Sequence, residues 1–149
     1  MNAETGADEL LLTYRGTVYP WHLDHMEHMN IQHYMAKFDE AVWNLFHRIG
    51  LTPSYLRAEN RGMAALETNV RYLKELFAGD VVGVHSGLLR VGETSLSFVQ
   101  EMRNGETGET AAIMRAVAVH LDRDARRPVP FPEAIATRAR ALVVDYPEA

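Results

Sequence analysis

The residues best equipped for chemistry crowd into one short stretch, Trp21 to His33, which holds four of the chain's seven histidines (His22, His25, His28 and His33) together with Asp24, Glu27 and Asn30. The stretch has neither helical nor alternating period and reads as a shaped loop. It ends where a strongly periodic helix begins. The first amides of a helix lack intrahelical acceptors and the helix dipole adds partial positive charge there, so such a loop favours an ionised carboxylate or the oxyanion of an acyl-transfer intermediate. Two uses of these residue types are open: a helix-start loop that holds negative charge, the Asp24 carboxylate or an acyl-transfer oxyanion, or a metal site drawing on His22, Asp24, His25, His28 and His33. The metal reading lacks an H-E-x-x-H motif and a second ligand pair at fixed spacing, and His85 and His120 fall in strands of unrelated register. No metal and no cofactor are expected. The chain also has no G-x-S-x-G stretch and no cysteine, which removes a serine elbow, a Cys nucleophile, thiolate metal sites and disulfides.

The elements that must position this loop can be read on either side of it. Leu10 to Tyr19 carries the partial alternation of a strand and stops at Pro20. From Ile31, apolar residues recur at helical spacing (Tyr34, Met35, Phe38, Ala41, Val42, Leu45, Phe46, Ile49), with Asn30 as N-cap and Gly50 then Pro53 beyond the end. Residues 52 to 60 suggest a short second helix. Strands follow at Met63 to Leu73, Val81 to Val91, Thr94 to Met102 and Thr110 to Leu121, joined by the turns AGD at 78 to 80, Gly92-Glu93 and NGETGE at 104 to 109. In the first of these, Ala64, Leu66, Thr68, Val70 and Tyr72 are expected on one face, with Glu67, Asn69 and Arg71 on the other. Turns this short cannot make parallel crossovers, so the expectation is an α+β fold with a five-stranded antiparallel sheet wrapped around one long helix. Open sheet edges point to pairing with a second copy of the chain.

A length of 149 residues with 47% apolar content fits one domain, with residues 1–9 expected to be loose and 132–149 a tail carrying a short amphipathic stretch from Glu133 to Val144. The acidic start has no positive region or apolar run, and no later segment approaches a membrane span, so a cytoplasmic protein without membrane attachment is expected. With 15 Lys+Arg against 20 Asp+Glu there is no basic field for a nucleic acid.

The stretch DHMEHMNIQHY resembles the D-x-x-G-H-x-N pattern, with a Tyr shortly after, of hotdog-fold thioesterases of the 4-hydroxybenzoyl-CoA thioesterase type. The resemblance runs from about Tyr14 to Phe131 in element order as well as motif. It implies a hotdog fold and hydrolysis of a small or medium acyl-CoA to free acid and CoA. Asp24 would be the nucleophile or the base that activates water, His28 and Asn30 the supporting residues, and a backbone N–H near Ile31 the donor to the thioester oxygen. Family members work as homodimers or dimers of dimers, in which Glu67 or Asn69 of a neighbouring chain can reach Asp24. Glu27 stands where the family has Gly, a departure in a loop that Gly's conformational freedom serves.

Each of these residues also has a plainer role. Asp24 can cap a turn, Asn30 can be only an N-cap, and His28 can simply tie down the loop. Glu67, Asn69 and Arg71 fit a solvated face; Tyr34, Phe38 and Phe46 fit the core; and Arg126-Arg127 after Arg123 fits a solvated charge run as well as a contact for CoA phosphates. Two other functions compete with hydrolysis: a module that binds acyl-CoA or an aromatic ligand without turnover, and dehydration of a 3-hydroxyacyl thioester. The Asp at position 24 favours hydrolysis.

Overall fold

The computed structural model describes residues 9–147, so nearly all of the N-terminal segment expected to be loose lies outside the described residues. Strand β1 (Leu11–Thr17) is followed by a 3-10 turn at Pro20–His22, helix α1 (Ile31–Arg48) and the short helix α2 (Pro53–Ala58). Strands β2 (Arg61–Tyr72), β3 (Val81–Val91), β4 (Ser95–Asn104) and β5 (Thr110–Asp122) follow, then a two-residue strand β6 (Arg127–Pro128) and helix α3 (Glu133–Arg140). All pairings are antiparallel, in the order β1-β3-β4-β5-β2 with β6 added beside β5. Beyond the five strands expected, β6 forms because the chain after β5 doubles back and pairs Leu121 with Pro128.

The chain leaves the sheet at one edge, β1, and re-enters at the other, β2. The helix between them must therefore lie along the concave face, one flank toward each edge. Its buried residues Tyr34, Phe38, Ala41, Leu45 and Phe46 repeat at the spacing read from sequence, and they pack in one core with Val82, Val84, Leu88, Phe98, Met102 and Met114. Burying such side chains contributes roughly 1.5 to 3 kcal/mol each. Polar groups reinforce the seat. The fully buried Gln100 of β4, its amide oriented to satisfy both ends, donates to the Phe38 carbonyl (3.2 Å) and accepts from Ser86 Oγ (3.0 Å) and the Val42 amide (3.2 Å). Ser86 in turn meets Thr13 Oγ1 at 2.7 Å, so β1, β3, β4 and the helix share one buried network.

Two differences from the sequence reading matter for the edge strand and the tail. The β2–β5 register slips between Ala65 and Glu67, a bulge that adds one residue to the edge. Cross-strand partners share a face, so Met63 and Ala65, opposite His120 and Ala118, point inward before the bulge, and Thr68, Val70 and Tyr72 after it. The face expected for Ala64 and Leu66 is thereby corrected: Leu66 is left at 65% exposure. The tail also departs from a single amphipathic stretch. α3 ends at Arg140, and the chain continues extended against β3, with the Leu88 amide on the Leu142 carbonyl (3.2 Å) and the Val144 amide on the Leu88 carbonyl (2.8 Å). A smaller cluster of Leu10, Val99 and Val144 forms there. Gly87 permits this approach, since a Cβ at that position would lie 2.7 Å from Leu10 and 3.1 Å from Val144.

His120 is fully buried and pins α2 to the end of the sheet. Its Nδ1 faces the Val129 carbonyl (2.8 Å), which can only accept, so Nε2 is left to accept from the Tyr55 hydroxyl (2.9 Å). Burial pushes the His120 pKa below its ordinary 6.5, and the same cause lowers His22 and His85. As pH falls through about 6.5 the unfolded chain takes up protons that the folded chain refuses, so stability is present above that value and lost below it. Urea denaturation at about pH 7.5 and pH 5.5 should give a lower unfolding free energy at the acid value. Equal or higher stability at the acid value would contradict the neutral state of these rings, of which His120 is the fully buried one.

Candidate functional site

The loop between β1 and α1 closes on itself before it meets the helix. Leu23 and Met29 form an antiparallel bridge, the Asp24 amide donates to the His28 carbonyl (3.3 Å), and the Glu27 amide donates to the Asp24 carbonyl (2.9 Å). This is a tight hairpin: a turn from Asp24 to Glu27 with Glu27 itself at φ +70. Such loops commonly carry a left-handed residue after the turn, a place where Gly is favoured. Outside the loop, the Met29 amide donates to the Leu76 carbonyl (2.7 Å) and the Asn30 amide to the His22 carbonyl (2.9 Å), which tie it to the segment after β2 and to its own start.

Within this frame the Asp24 carboxylate is fixed at both oxygens. Oδ1 accepts from the Met26 amide (2.8 Å) and Oδ2 from the side-chain amide of Asn30 (2.8 Å). Asn30 is at the same time the N-cap of α1, its Oδ1 accepting from the Gln32 amide (3.0 Å). One side chain thus joins the carboxylate to the helix start. The Asn30 hydrogen bond first, then that of Met26, holds the Asp24 carboxyl below the usual carboxylate range, with His28 and His25 adding to the effect. Asp24 is ionised at neutral pH. Ile31 opens the helix, and among the described residues no hydrogen bond is formed by its amide, which is the donor state an oxyanion needs.

A cavity of about 310 Å³ lies against this helix start, lined by His28, Met29, Ile31, Tyr34, Tyr72 and the 73–75 segment. His28 Nε2 stands 3.3 Å from Glu75 Oε2, and the Tyr34 ring meets Tyr72 edge-on at 5.2 Å while its hydroxyl donates to the Lys74 carbonyl (3.2 Å). A second, apolar trough of about 190 Å³ runs between α1 and β2, with Met35, Val42, Trp43, Met63, Ala65 and Thr68 along it. Among the described residues no group of three His, Asp or Glu side chains converges where a metal ion would sit. The histidines of the loop are dispersed instead: His22 pairs with the His33 ring (4.7 Å) on one side of the helix, and His28 turns to Glu75 on the other.

The chain matches known sequences over this same region. The sequence profile of the thioesterase-like superfamily covers residues 18–139. The protein belongs to the thioesterase-like superfamily. Among individual relatives, a betainyl-CoA thioesterase of Pseudomonas aeruginosa is 26% identical over 134 residues, 90% of this chain and 84% of that one. An L-carnitine dehydrogenase/betainyl-CoA thioesterase of Agrobacterium fabrum is 31% identical over 90% of this chain, which spans 27% of that longer protein. A thioesterase of Thermus thermophilus, solved with coenzyme A and zinc, superposes with a TM-score of 0.76 at 30% identity over 91% of this chain and 96% of that one. A Staphylococcus aureus protein in complex with CoA superposes at a TM-score of 0.84 over 94% of this chain and 89% of that one, at 23% identity. The sheet curled around α1 is the hotdog fold.

In this superfamily setting the positions read from sequence divide clearly. Asp24, Asn30 and the Ile31 amide are brought to one helix start, and His28 lines the adjoining cavity. Glu67 and Asn69 lie on the exposed edge strand, opposite Val117 and Arg115, and among the described residues no hydrogen bond joins either to the Asp24 loop. Tyr72 and Glu75 line this cavity and are not singled out by the sequence, where Tyr72 reads as an ordinary strand residue and Glu75 as part of a loop. Glu27 keeps the left-handed conformation that Gly would adopt freely, with its side chain exposed. A non-glycine residue there costs about 1 kcal/mol. Glu27→Gly should therefore leave the loop in place and raise the unfolding free energy by up to about 1 kcal/mol in urea titration. Destabilisation by more than about 0.5 kcal/mol would mean that the Glu27 side chain holds the loop by contacts of its own.

Proposed function

We propose that this chain hydrolyses the thioester of a small or medium acyl-CoA to free acid and CoA, in the manner of thioesterases of the 4-hydroxybenzoyl-CoA type. The observation that carries the reading is the Asp24–Asn30–helix arrangement: an ionised carboxylate tied by the Asn30 side chain to the start of a helix whose first amide, that of Ile31, is free. The Ile31 amide polarises the thioester carbonyl. The Asp24 carboxylate attacks the carbonyl carbon, the CoA thiolate leaves, and water hydrolyses the mixed anhydride to return the carboxylate. The lowered pKa keeps the carboxylate ionised, as this nucleophilic role requires and as activation of water by the same group would also require. His28 and Asn30 position the loop. The reaction in this form needs no metal and no cofactor, and the lack of cysteine suits a cytoplasmic setting.

The acyl group is held in the cavity beside Ile31. Four relatives are named for betainyl-CoA, whose acyl group carries a quaternary ammonium. The Tyr34 and Tyr72 rings and the Glu75 carboxylate in this chain's cavity are groups that such a cation favours, so betainyl-CoA is the first substrate to test. A binding module without turnover is the second reading, motivated by Glu27 in place of Gly; the retained left-handed turn at Glu27 favours hydrolysis over it.

A thiol-release assay over a panel of acyl-CoAs, with and without chelator, tests the assignment. On the best substrate Asp24→Asn should lower kcat by ~10² to 10⁴, or about 3 to 5 kcal/mol of transition-state stabilisation, with KM little changed and the melting temperature modestly lowered, because the new NH2 faces one of the two donors that the carboxylate accepts from. A variant that still unfolds cooperatively and keeps more than about a third of kcat would make Asp24 a structural loop acid.

The working unit in this reading is a homodimer or a dimer of dimers. β2 is an open edge strand that exposes Leu66, and Trp43 and Tyr72 are exposed beside it, so a second copy can cover this edge and bring Glu67 or Asn69 toward Asp24 of its neighbour. Light scattering should report two or four chains per particle at micromolar concentration. A monodisperse single chain would remove both the oligomer and the cross-subunit role.

A further inference from the structure

Lys37 is a buried cation of α1. It lies among the buried residues of the helix, between Tyr34 and Phe38, and it is only 5% exposed. Its Nζ has two long contacts, 3.4 Å to the Tyr14 hydroxyl and 3.5 Å to the Thr17 carbonyl, and sits 5.5 Å from the centre of the Tyr14 ring. An ammonium offers three donors and a full charge. Among the described residues no carboxylate lies within ion-pair distance of Lys37, and the acid that acts on it, Glu40, is exposed one turn along the helix. A buried cation so weakly partnered is costly unless a counter-charge arrives.

The space in front of Lys37 is built to receive one. A cavity of about 520 Å³ opens on the β1 flank of α1, away from the Asp24 loop's cavity, and is lined by Tyr14, Tyr19, Trp21, His22, His33 and Lys37 and by the exposed Glu40. Gly16 forms part of the wall, where a Cβ would press on the Tyr14 ring at 2.8 Å. His22 Nδ1 accepts from the Tyr19 amide (2.9 Å), so in the neutral ring the proton is on Nε2, a donor. Burial first, then Lys37 and His33, keeps the His22 pKa below its ordinary value and the ring neutral. At the rim, Tyr19 and Trp21 stack face to face at 4.6 Å with 7° between planes, and Trp21 is 71% exposed. A flat ring can extend that stack.

We propose that this pocket is a second ligand site, distinct from the hydrolytic one, for a flat aromatic molecule bearing an anionic oxygen group. The carboxylate or phosphate of the ligand meets Lys37 Nζ and the His22 Nε2–H, and its ring lies on the outer face of Trp21. The site goes beyond thioester hydrolysis and does not depend on it.

Calorimetric titration with four probes tests the site: benzoate, phenyl phosphate, inorganic phosphate and benzyl alcohol. Saturable binding of benzoate or phenyl phosphate, with benzyl alcohol silent, is the expected result, and the stronger of the two identifies the source of the anion. Lys37→Met, which replaces the cation by an apolar chain of similar length, should weaken binding at least ~10-fold, and Lys37→Arg should retain it. Trp21→Ala, on the surface and safe for folding, should weaken the aromatic anions and leave inorganic phosphate unaffected. Asp24→Asn should bind all probes as the parent does. The proposal fails if none of the aromatic anions binds saturably, if benzyl alcohol binds as well as benzoate, if folded Lys37→Met binds unchanged, or if Asp24→Asn abolishes binding. The last outcome would place the ligand in the hydrolytic cavity.

Discussion

The placement of α1 between the two edges of one sheet is the constraint on which everything else rests. Because β1 and β2 are opposite edges, the helix that joins them is held by the core along its length and has a flank toward each edge. Its N-terminus is fixed by the Asn30 cap and by the Met29 amide on the Leu76 carbonyl, and its middle by Gln100. Amides at the end of a helix so anchored do not have to be reorganised when charge develops beside them, which is the condition for electrostatic catalysis. The two flanks then give the molecule its cavities. Toward β2 the space is apolar and opens beside an edge strand; toward β1 it is polar and centred on Lys37.

Much of this is legible in the sequence, for a physical reason in each case. The stripe from Ile31 to Ile49 has one stable use, because a broad apolar face at helical period must be covered, and α1 begins at Ile31 as the Asn30 cap requires. The turns at 78 to 80 and 104 to 109 are visible through Gly, Asn and Asp, and the strands between them through their alternation. The inner face of β2 is not legible, since a bulge is a property of the pairing with β5, and nothing in a single strand announces that Leu66 will be skipped. The same holds for β6 and for the extended run after α3, which exist through their partners.

The site is half legible. Asp24, Asn30 and Ile31 can be placed because loop, cap and helix start are adjacent in sequence, so local rules suffice. Tyr72 and Glu75 arrive from far along the chain, as the Tyr34 hydroxyl on the Lys74 carbonyl shows with a separation of 40, and no local rule reaches that far. Lys37 is the instructive miss. The apolar stripe is complete without position 37, so nothing in the helical period marks this lysine, and its burial comes from β1 packing over that flank of the helix.

Asn30 also separates two properties that usually travel together. Its oxygen serves the helix and its nitrogen serves Asp24. Aspartate is an equally good helix cap, so a chain with Asp at this place would keep the oxygen's task and lose the nitrogen's, setting two carboxylates side by side. By capping rules the two residues are interchangeable; by the chemistry of the loop they are opposites. A comparison of related chains that scores Asn and Asp as similar here would group proteins that fold alike and differ in whether their loop acid carries a charge.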